Sequence, residues 1–517
     1  MPLLHQIIHA FKGFVALGGA LLLVEPRPGG WMSARSPDLV RPTALVALGL
    51  AAVVAWTNLG YFHYASIIHP HDMPHNYLGA KYSRELGYTD LYRCVARAEA
   101  ELGHPPSQYT AWARDLRTNQ LAPVRQLNET GGRCEQFSEA RWAAFVADVR
   151  NVREGGREDR RGEFYNDHGF NASPLGLIPA RWITTALPST RGGLAAIVVV
   201  DWLVLALTGT IIARTFGWRV LVLALVWWGT SYATRYHFTG GGVLRNDWLL
   251  LTVASIALVR GERDFAGGAA VVWATLVKVF PAVLGVGLVF HEIGRIWRGR
   301  SLDVSGATLR TAVGAILGLA LLGPAASYIT TGNALDPAPW QAYRANTERL
   351  LQGPFTNRIG LKAVLAWRPS SRLAEVRDLW LDAPGDMWRA QQWQNIAELR
   401  WVFWLAVGAF LILLARASIR HDPWVAMVLS LGLVPMALDS SARYYGFIVA
   451  YAFLWPLAPW VGSALCSLSF GTLVAPILLR SEDDAYALTS LLVVVFVLGV
   501  TAAFAFGRSR ADRDRRT

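Results

Sequence analysis

AGGAAVVWATLVKVFPAVLGVGLVFHEI (residues 266–293) carries one lysine in an otherwise apolar run, and arginines stand on both sides of it. Arg260 and Arg263 precede it; Arg295, Arg298 and Arg300 follow. A straight crossing would put these two basic groups on opposite faces of a membrane, against the tendency of Lys and Arg near span ends to stay cytoplasmic. Pro281 removes a backbone donor and breaks a helix. The stretch therefore predicts two apolar helices that turn back at Lys278–Pro281, with Lys278 at a bend near the outer half of the membrane.

The rest of the chain fits that reading. Of 517 residues, 53% are hydrophobic and 17% charged, with 22 Trp, too apolar for an ordinary soluble domain or a disordered chain. Windows such as LAAIVVVDWLVLALTGTIIA (194–213) and LTSLLVVVFVLGVTAAFAF (488–506) hold at most one charge over the roughly twenty residues that span a hydrocarbon core. The expectation is an all-α polytopic membrane protein. The formal charge of +12 is read as membrane orientation, not nucleic-acid binding, because the basic residues fall in loops between apolar segments.

Segment 1–42 reads as a cytoplasmic or interfacial start: no small-residue cleavage site follows its apolar run, while His5, His9 and Lys12 suit an interfacial helix or a weak span. Residues 43–62 read as the first strong span, exiting outward. A polar insert, 63–188, follows, and its length lets its arginines translocate. Spans are then expected at 192–213, 219–236, 247–260, 267–280, 281–294 and 308–328, within a 189–328 block. After a second outer insert, 329–398, further spans fall at 399–416, 423–438, 444–459, 461–479 and 487–507, and 508–517 is a basic cytoplasmic tail. That makes about twelve crossings. Trp340, Trp367, Trp380, Trp388 and Trp393 suggest interfacial helices in the second insert. Cys94 and Cys134 share the first insert and either pair or stay free, while Cys466 lies in an apolar run.

Some basic residues end up at the outer ends of spans: Arg235, Arg245, Lys278, Arg358 and Arg443. A cation there is costly and calls for a partner, and an anionic headgroup or phosphate is the economical one; snorkelling is the bland alternative. Asp72, between His71 and Pro74 just beyond the first span, is the carboxylate placed to act as a base. Asp167, His168 and Asp247 are lesser candidates, and Asp201, in mid-span, calls for a buried partner. His69, His71 and His75 match no zinc spacing, so no metal ligand set is assigned. GGG (240–242) lacks a preceding strand, GxSxG and HExxH are absent, and NET (128–130) and NAS (171–173) are glycosylation sequons only in a eukaryotic protein.

In chain order, HDMPHNYLGAKYSRELGYTDLY (71–92), FNASPLGLIP (170–179), AGGAAVVWATLVKVFP (266–281), TNRIG (356–360) and LDSSARYYG (438–446) resemble the GT-C superfamily of membrane glycosyltransferases. The closest likeness is to the polyprenyl-phosphate-mannose-dependent mannosyltransferases. The resemblance implies a GT-C-like bundle and inverting transfer of mannose, or another hexose or pentose, from a polyprenyl-phosphate donor to a glycan or lipid-linked acceptor hydroxyl. It implies Asp72 as the base and Lys278, Arg245, Arg358 and Arg443 as phosphate ligands. His71, His75, Asn76, Tyr77, Asp167, His168, His237, Asn246, Asp247, Asn357, Tyr444 and Tyr445 are the wider substrate-binding set. No resident cofactor is implied, and a divalent ion is neither required nor excluded. The partners are then membrane lipid and lipid-borne sugar, not nucleic acid. The Ala/Arg/Gly-rich composition points to a bacterial cytoplasmic membrane with the site on its outer face. A lipid or polysaccharide transporter, or an acyltransferase, is the competing reading.

Overall fold

The computed structural model describes residues 2–23, 40–63, 65–104, 112–124, 127, 133–154, 161–299, 304–351, 356–376, 386–438 and 440–507. The 128–130 sequon, Arg300, the basic tail and Trp380 lie outside these.

Apolar sequence becomes helix almost throughout, because a helix satisfies its own backbone groups. Among the described residues, six helices are long and apolar enough to cross a membrane: Arg191–Phe216, Phe280–Gly299, Gly306–Thr331, Arg400–Arg420, Trp460–Leu478 and Glu482–Phe506. Shorter apolar helices, Pro42–Trp56, Trp218–Thr230, Asp264–Val277 and Pro423–Ala437, pack among them. This is the architecture of an all-α multi-pass membrane protein, in which half of the expected crossings reach full length on their own. The long helices expose Leu203, Ile316, Leu321, Trp404 and Ile412, the apolar surface that lipid covers.

The decisive stretch bends where its sequence requires. Helix Asp264–Val277 stops at Lys278, which is extended (φ −143°, ψ 130°), and a single 3₁₀ turn at Phe280–Ala282 leads into helix Val283–Gly299. The first half crosses helix Gly306–Thr331 closely: a Cβ on Gly268 would strike the Thr311 carbonyl oxygen, and one on Gly314 the Phe265 carbonyl. The second half packs instead on Arg400–Arg420 and Pro423–Ser430. Asp264 pairs with Arg310 at 2.6 Å, and Glu292 accepts from Arg295, Ser305 and Thr308. The basic flanks therefore meet at one end of the bundle and Lys278 lies at the other.

Two expectations are corrected. Residues 444–459 do not form an apolar α-helix: Ala442–Leu454 is a buried 3₁₀ helix. Such a run is longer than this geometry usually sustains, and packing on every side holds it. Residues 423–438 break into Pro423–Ser430 and Leu433–Ala437. Two small antiparallel sheets join the helices, Trp112–Asp115 with Gln120–Pro123 and Arg358–Ile359 with Ser440–Ser441. The second supplies partners for backbone that no helix satisfies.

Residues 2–23 form a helix packed on Val40–Trp56 and Trp460–Leu478, and its buried Lys12 donates to Asn58 Oδ1 at 2.7 Å. It is a bundle member. The first insert has its own core, including Met73, Tyr82, Leu86, Phe145 and Tyr165, which continues onto Leu194 and Val198 of the next long helix. Cys94 and Cys134 are disulfide-bonded within it, with their Cα atoms 5.5 Å apart, resolving that alternative in favour of pairing. Two tryptophans of the second insert tie it to the bundle. Trp367 donates to Asp484 (2.8 Å) and Trp388 to Asp483 (3.1 Å), so they clasp the insert to the start of helix Glu482–Phe506.

Candidate functional site

The first insert meets the bundle at helix Asp72–Lys81. Its start is held by His69, whose Nδ1 accepts from the backbone N–H of Asp72 (3.0 Å) and of His71 (3.3 Å). Asp72 thus occupies the first turn, where the helix dipole favours a carboxylate. The His69 N–H donates to the Gly241 carbonyl at 2.9 Å. Gly241 has φ +76°, and a Cβ there would collide with the His69 backbone. The GGG segment is therefore a close backbone contact.

From that loop comes Arg245. Its Nη1 donates to the carbonyls of Gly240 (2.8 Å) and His237 (3.1 Å), and its Nη2 forms an ion pair with Asp72. Both side chains are nearly inaccessible. The expected base is thus coupled directly to an expected phosphate ligand.

Beside this pair opens a cavity with about 800 Å³ of empty space, its mouth included. Its walls come from separate parts of the chain: Asn76, the Gly169–Ser173 segment, Arg245, Asp247, Lys278, Arg443 and Tyr444. Lys278 reaches it because the helix ends at Val277; its Nζ lies 3.5 Å from the Asn171 carbonyl and 5.5 Å from the centre of the Tyr444 ring. Arg443 lies 6.0 Å from the same ring. Three cations thus converge on one cavity, an arrangement suited to a multiply charged anion. The FNAS segment supplies part of the wall. Asn171 also accepts from Asn346 of the second insert at 3.0 Å.

Behind the wall lie His75, Asp167 and His168. The buried His75 stacks on Phe164, and its Nδ1 is 3.6 Å from Asp167 Oδ2. Burial alone would raise the Asp167 carboxyl; His75, Arg443 and His168 outweigh it and hold the group below the ordinary carboxylate range. His168 is pushed down to about 3, first by burial and then by Arg114, and its Nδ1 lies 2.7 Å from Asn119 Oδ1.

Several expected site residues make internal bonds that hold the fold together. Tyr77 donates to the Leu187 carbonyl at 2.9 Å inside the insert core. Asn246 donates to Asp201 Oδ2 (2.8 Å) and to the Thr239 carbonyl (2.9 Å), and is the buried partner that Asp201 required. The Asn357 carbonyl accepts from the Ala442 N–H (2.8 Å), and Tyr445 donates to the Ile359 carbonyl. Arg358 is buried away from the cavity and donates to Gln392 at 3.1 Å. All five sit in backbone-rich joints whose polar groups need internal partners.

His63, which sequence reasoning missed, forms with His69 and His237 a cluster of imidazoles. His237 Nδ1 lies 3.2 Å from His69 Nε2 and 3.1 Å from His63 Nε2. Because His69 Nδ1 accepts two backbone N–H groups, its Nε2 carries the proton and donates to His237. These rings therefore link the Asp72 helix to the Arg245 loop by hydrogen bonds. The only sign of His63 in the sequence was its position just past the first span.

Compared with protein-family models, with curated proteins and with solved structures, the chain gives no match.

Proposed function

We propose that the chain is a GT-C-like integral-membrane glycosyltransferase with about twelve crossings, its cavity on the extracytoplasmic face. It moves mannose or another hexose or pentose from a polyprenyl phosphate to an acceptor hydroxyl for cell-envelope glycan or glycolipid synthesis. The observation that carries this reading is the meeting of Arg245, Lys278 and Arg443 in one cavity beside Asp72. An anionic lipid headgroup fits three cations at span ends. A groove of about 1570 Å³ between helices Val40–Trp56, Arg191–Phe216 and Trp218–Thr230 is lined by Val53, Trp56, Leu205, Leu221, Trp228 and other mainly apolar residues, suited to an isoprenoid chain. Trp56 in that groove donates to Thr239 at 3.0 Å, close in the chain to Arg245.

In this reading the acceptor oxygen attacks the anomeric carbon, the bond from that carbon to the phosphate oxygen breaks, and the lipid phosphate leaves with the electron pair. Asp72 takes the acceptor proton. The incoming phosphate draws Arg245 away from Asp72, so donor binding frees the base, while Lys278 and Arg443 neutralise the departing charge. One displacement inverts the anomeric centre, with one carboxylate as base.

The test is transfer from a radiolabelled polyprenyl-phosphate sugar to a lipid acceptor extract by purified protein. Asp72→Asn is expected to lower the rate by about 10²–10⁴. An unchanged rate removes Asp72 as the base. Donor movement across proteoliposomes without any transfer supports a transporter in its place.

A further inference from the structure

The inference starts from His75, which is 2% exposed. Its Nε2 lies 2.9 Å from the Phe164 carbonyl oxygen and 2.8 Å from the Tyr92 hydroxyl, whose oxygen already accepts from the Gly169 N–H at 3.0 Å. A carbonyl oxygen can only accept, so Nε2 carries the proton and the neutral ring presents a bare lone pair at Nδ1. That nitrogen is buried and makes no hydrogen bond. It lies 3.6 Å from Asp167 Oδ2, and one ligand atom each of Asp72, His75 and Asp167 lies within 4.8 Å of the others. Arg245 pairs with only one of these carboxylates, and three electron-rich atoms this close to one another are favoured by a cation among them.

The geometry points to a divalent first-row cation, of the Mn²⁺ kind, held by Asp72, His75 and Asp167. Two carboxylate oxygens and one imidazole form a mixed O/N set that suits Mn²⁺ better than the all-oxygen preference of Mg²⁺. The proton on His75 Nε2, donated to a backbone carbonyl, fixes the ring in the orientation usual for a metal ligand. Asp167 has Oδ1 occupied by the His168 N–H at 2.8 Å, which leaves Oδ2 for the ion. Asp72 gives Oδ2 to Arg245, which leaves Oδ1. The three ligands lie behind the cavity wall, whose Asn76, Gly169 and Arg245 are their near neighbours in the chain or, for Arg245, the ion-pair partner of Asp72. Arg245 and Arg443 nearby oppose the ion's charge, so it is held weakly alone and more tightly with an anion in the cavity.

Ion binding is read without turnover, so its failure is separate from failure of the transferase reading. Metal-stripped full-length protein in detergent is titrated with Mn²⁺ and free Mn²⁺ is followed by electron paramagnetic resonance, without and with inorganic phosphate. The expected result is one saturable site per chain, tightened by phosphate, weakened more than about tenfold by Asp167→Asn. Pulsed measurements on bound Mn²⁺ should show a nitrogen coupling that His75→Leu abolishes. Should that variant not fold, the coupling in the unmodified protein decides alone. No saturable site, affinity untouched by Asp167→Asn, or bound Mn²⁺ without nitrogen coupling overturns the proposal. The first of these leaves an imidazolium–carboxylate pair as the explanation.

Discussion

Arg358 and Arg443 were candidates for the same task, and the small sheet brings their segments side by side, Arg358 opposite Ser441. Their surroundings differ. Arg358 enters a closed polar cluster, donating to Gln392, which in turn donates to the Ser371 carbonyl at 3.0 Å; Asn395 completes it by donating to the Ala366 carbonyl at 2.7 Å. Arg443 faces a cavity shared with Lys278 and Arg245, with an aromatic ring among its neighbours. A buried cation tied into an internal network is part of the scaffold. One aimed into open space is available to a ligand. Sequence position near a span end does not separate the two, because both follow from the same cost of placing charge there.

Substitution can break this contrast. Lys278→Met keeps length and removes charge, so it is expected to lower transfer by roughly 10²–10³ while thermal unfolding in detergent stays near the parent value. An equal loss from Arg358→Met, at unchanged stability, would put both arginine environments on the ligand side and end the distinction. Arg358→Met is instead expected to cost about 1–3 kcal/mol, because Gln392 loses a buried donor, and to leave the rate per folded molecule nearly intact. Thermal unfolding with active-site titration reads both quantities on one sample.

The helical class and the turn at Lys278–Pro281 were legible, as was the grouping of Arg245, Lys278 and Arg443 around one cavity beside Asp72, because charge in an apolar chain is conspicuous and Pro has one local meaning. The disulfide was legible only as an alternative, since pairing depends on the fold of the insert. The internal bonds of Tyr77, Asn246 and Tyr445 were not legible: motif spacing says which residues lie near a site, whereas the hydrogen-bonding needs of neighbouring backbone decide which way each side chain points. His63 and Asn171 become visible only in three dimensions. The 3₁₀ run at Ala442–Leu454 has no local sequence signal at all, because apolar composition alone reads as an α-helical span and the surrounding packing overrides that preference.

The smallest expected effect probes the wall behind the cavity, where charges are balanced rather than free. His168 is held at about 3 by burial, then by Arg114, with Asp167 opposing and Arg389 and Arg443 adding to the depression. Above pH ~6.5 neither folded nor unfolded chain protonates this ring, so it adds nothing to the pH dependence of stability. As pH falls from there towards 3, the unfolded chain takes up a proton that the folded chain refuses. Stability then drops by up to about 1.4 kcal/mol per pH unit from this group. Asp167 acts lower on the scale: its stabilisation is present above the ordinary carboxylate pKa and is lost as pH falls through its depressed folded value. His168→Gln keeps a donor for Asn119 but cannot titrate, so its unfolding curve between pH 6 and 4 should be flatter by about one proton, with little change at neutral pH. Unfolding monitored by tryptophan fluorescence over that range measures the slope. If it is unchanged, His168 is protonated in the folded chain, and the wall behind Arg443 carries one more positive charge than the contrast with Arg358 assumes.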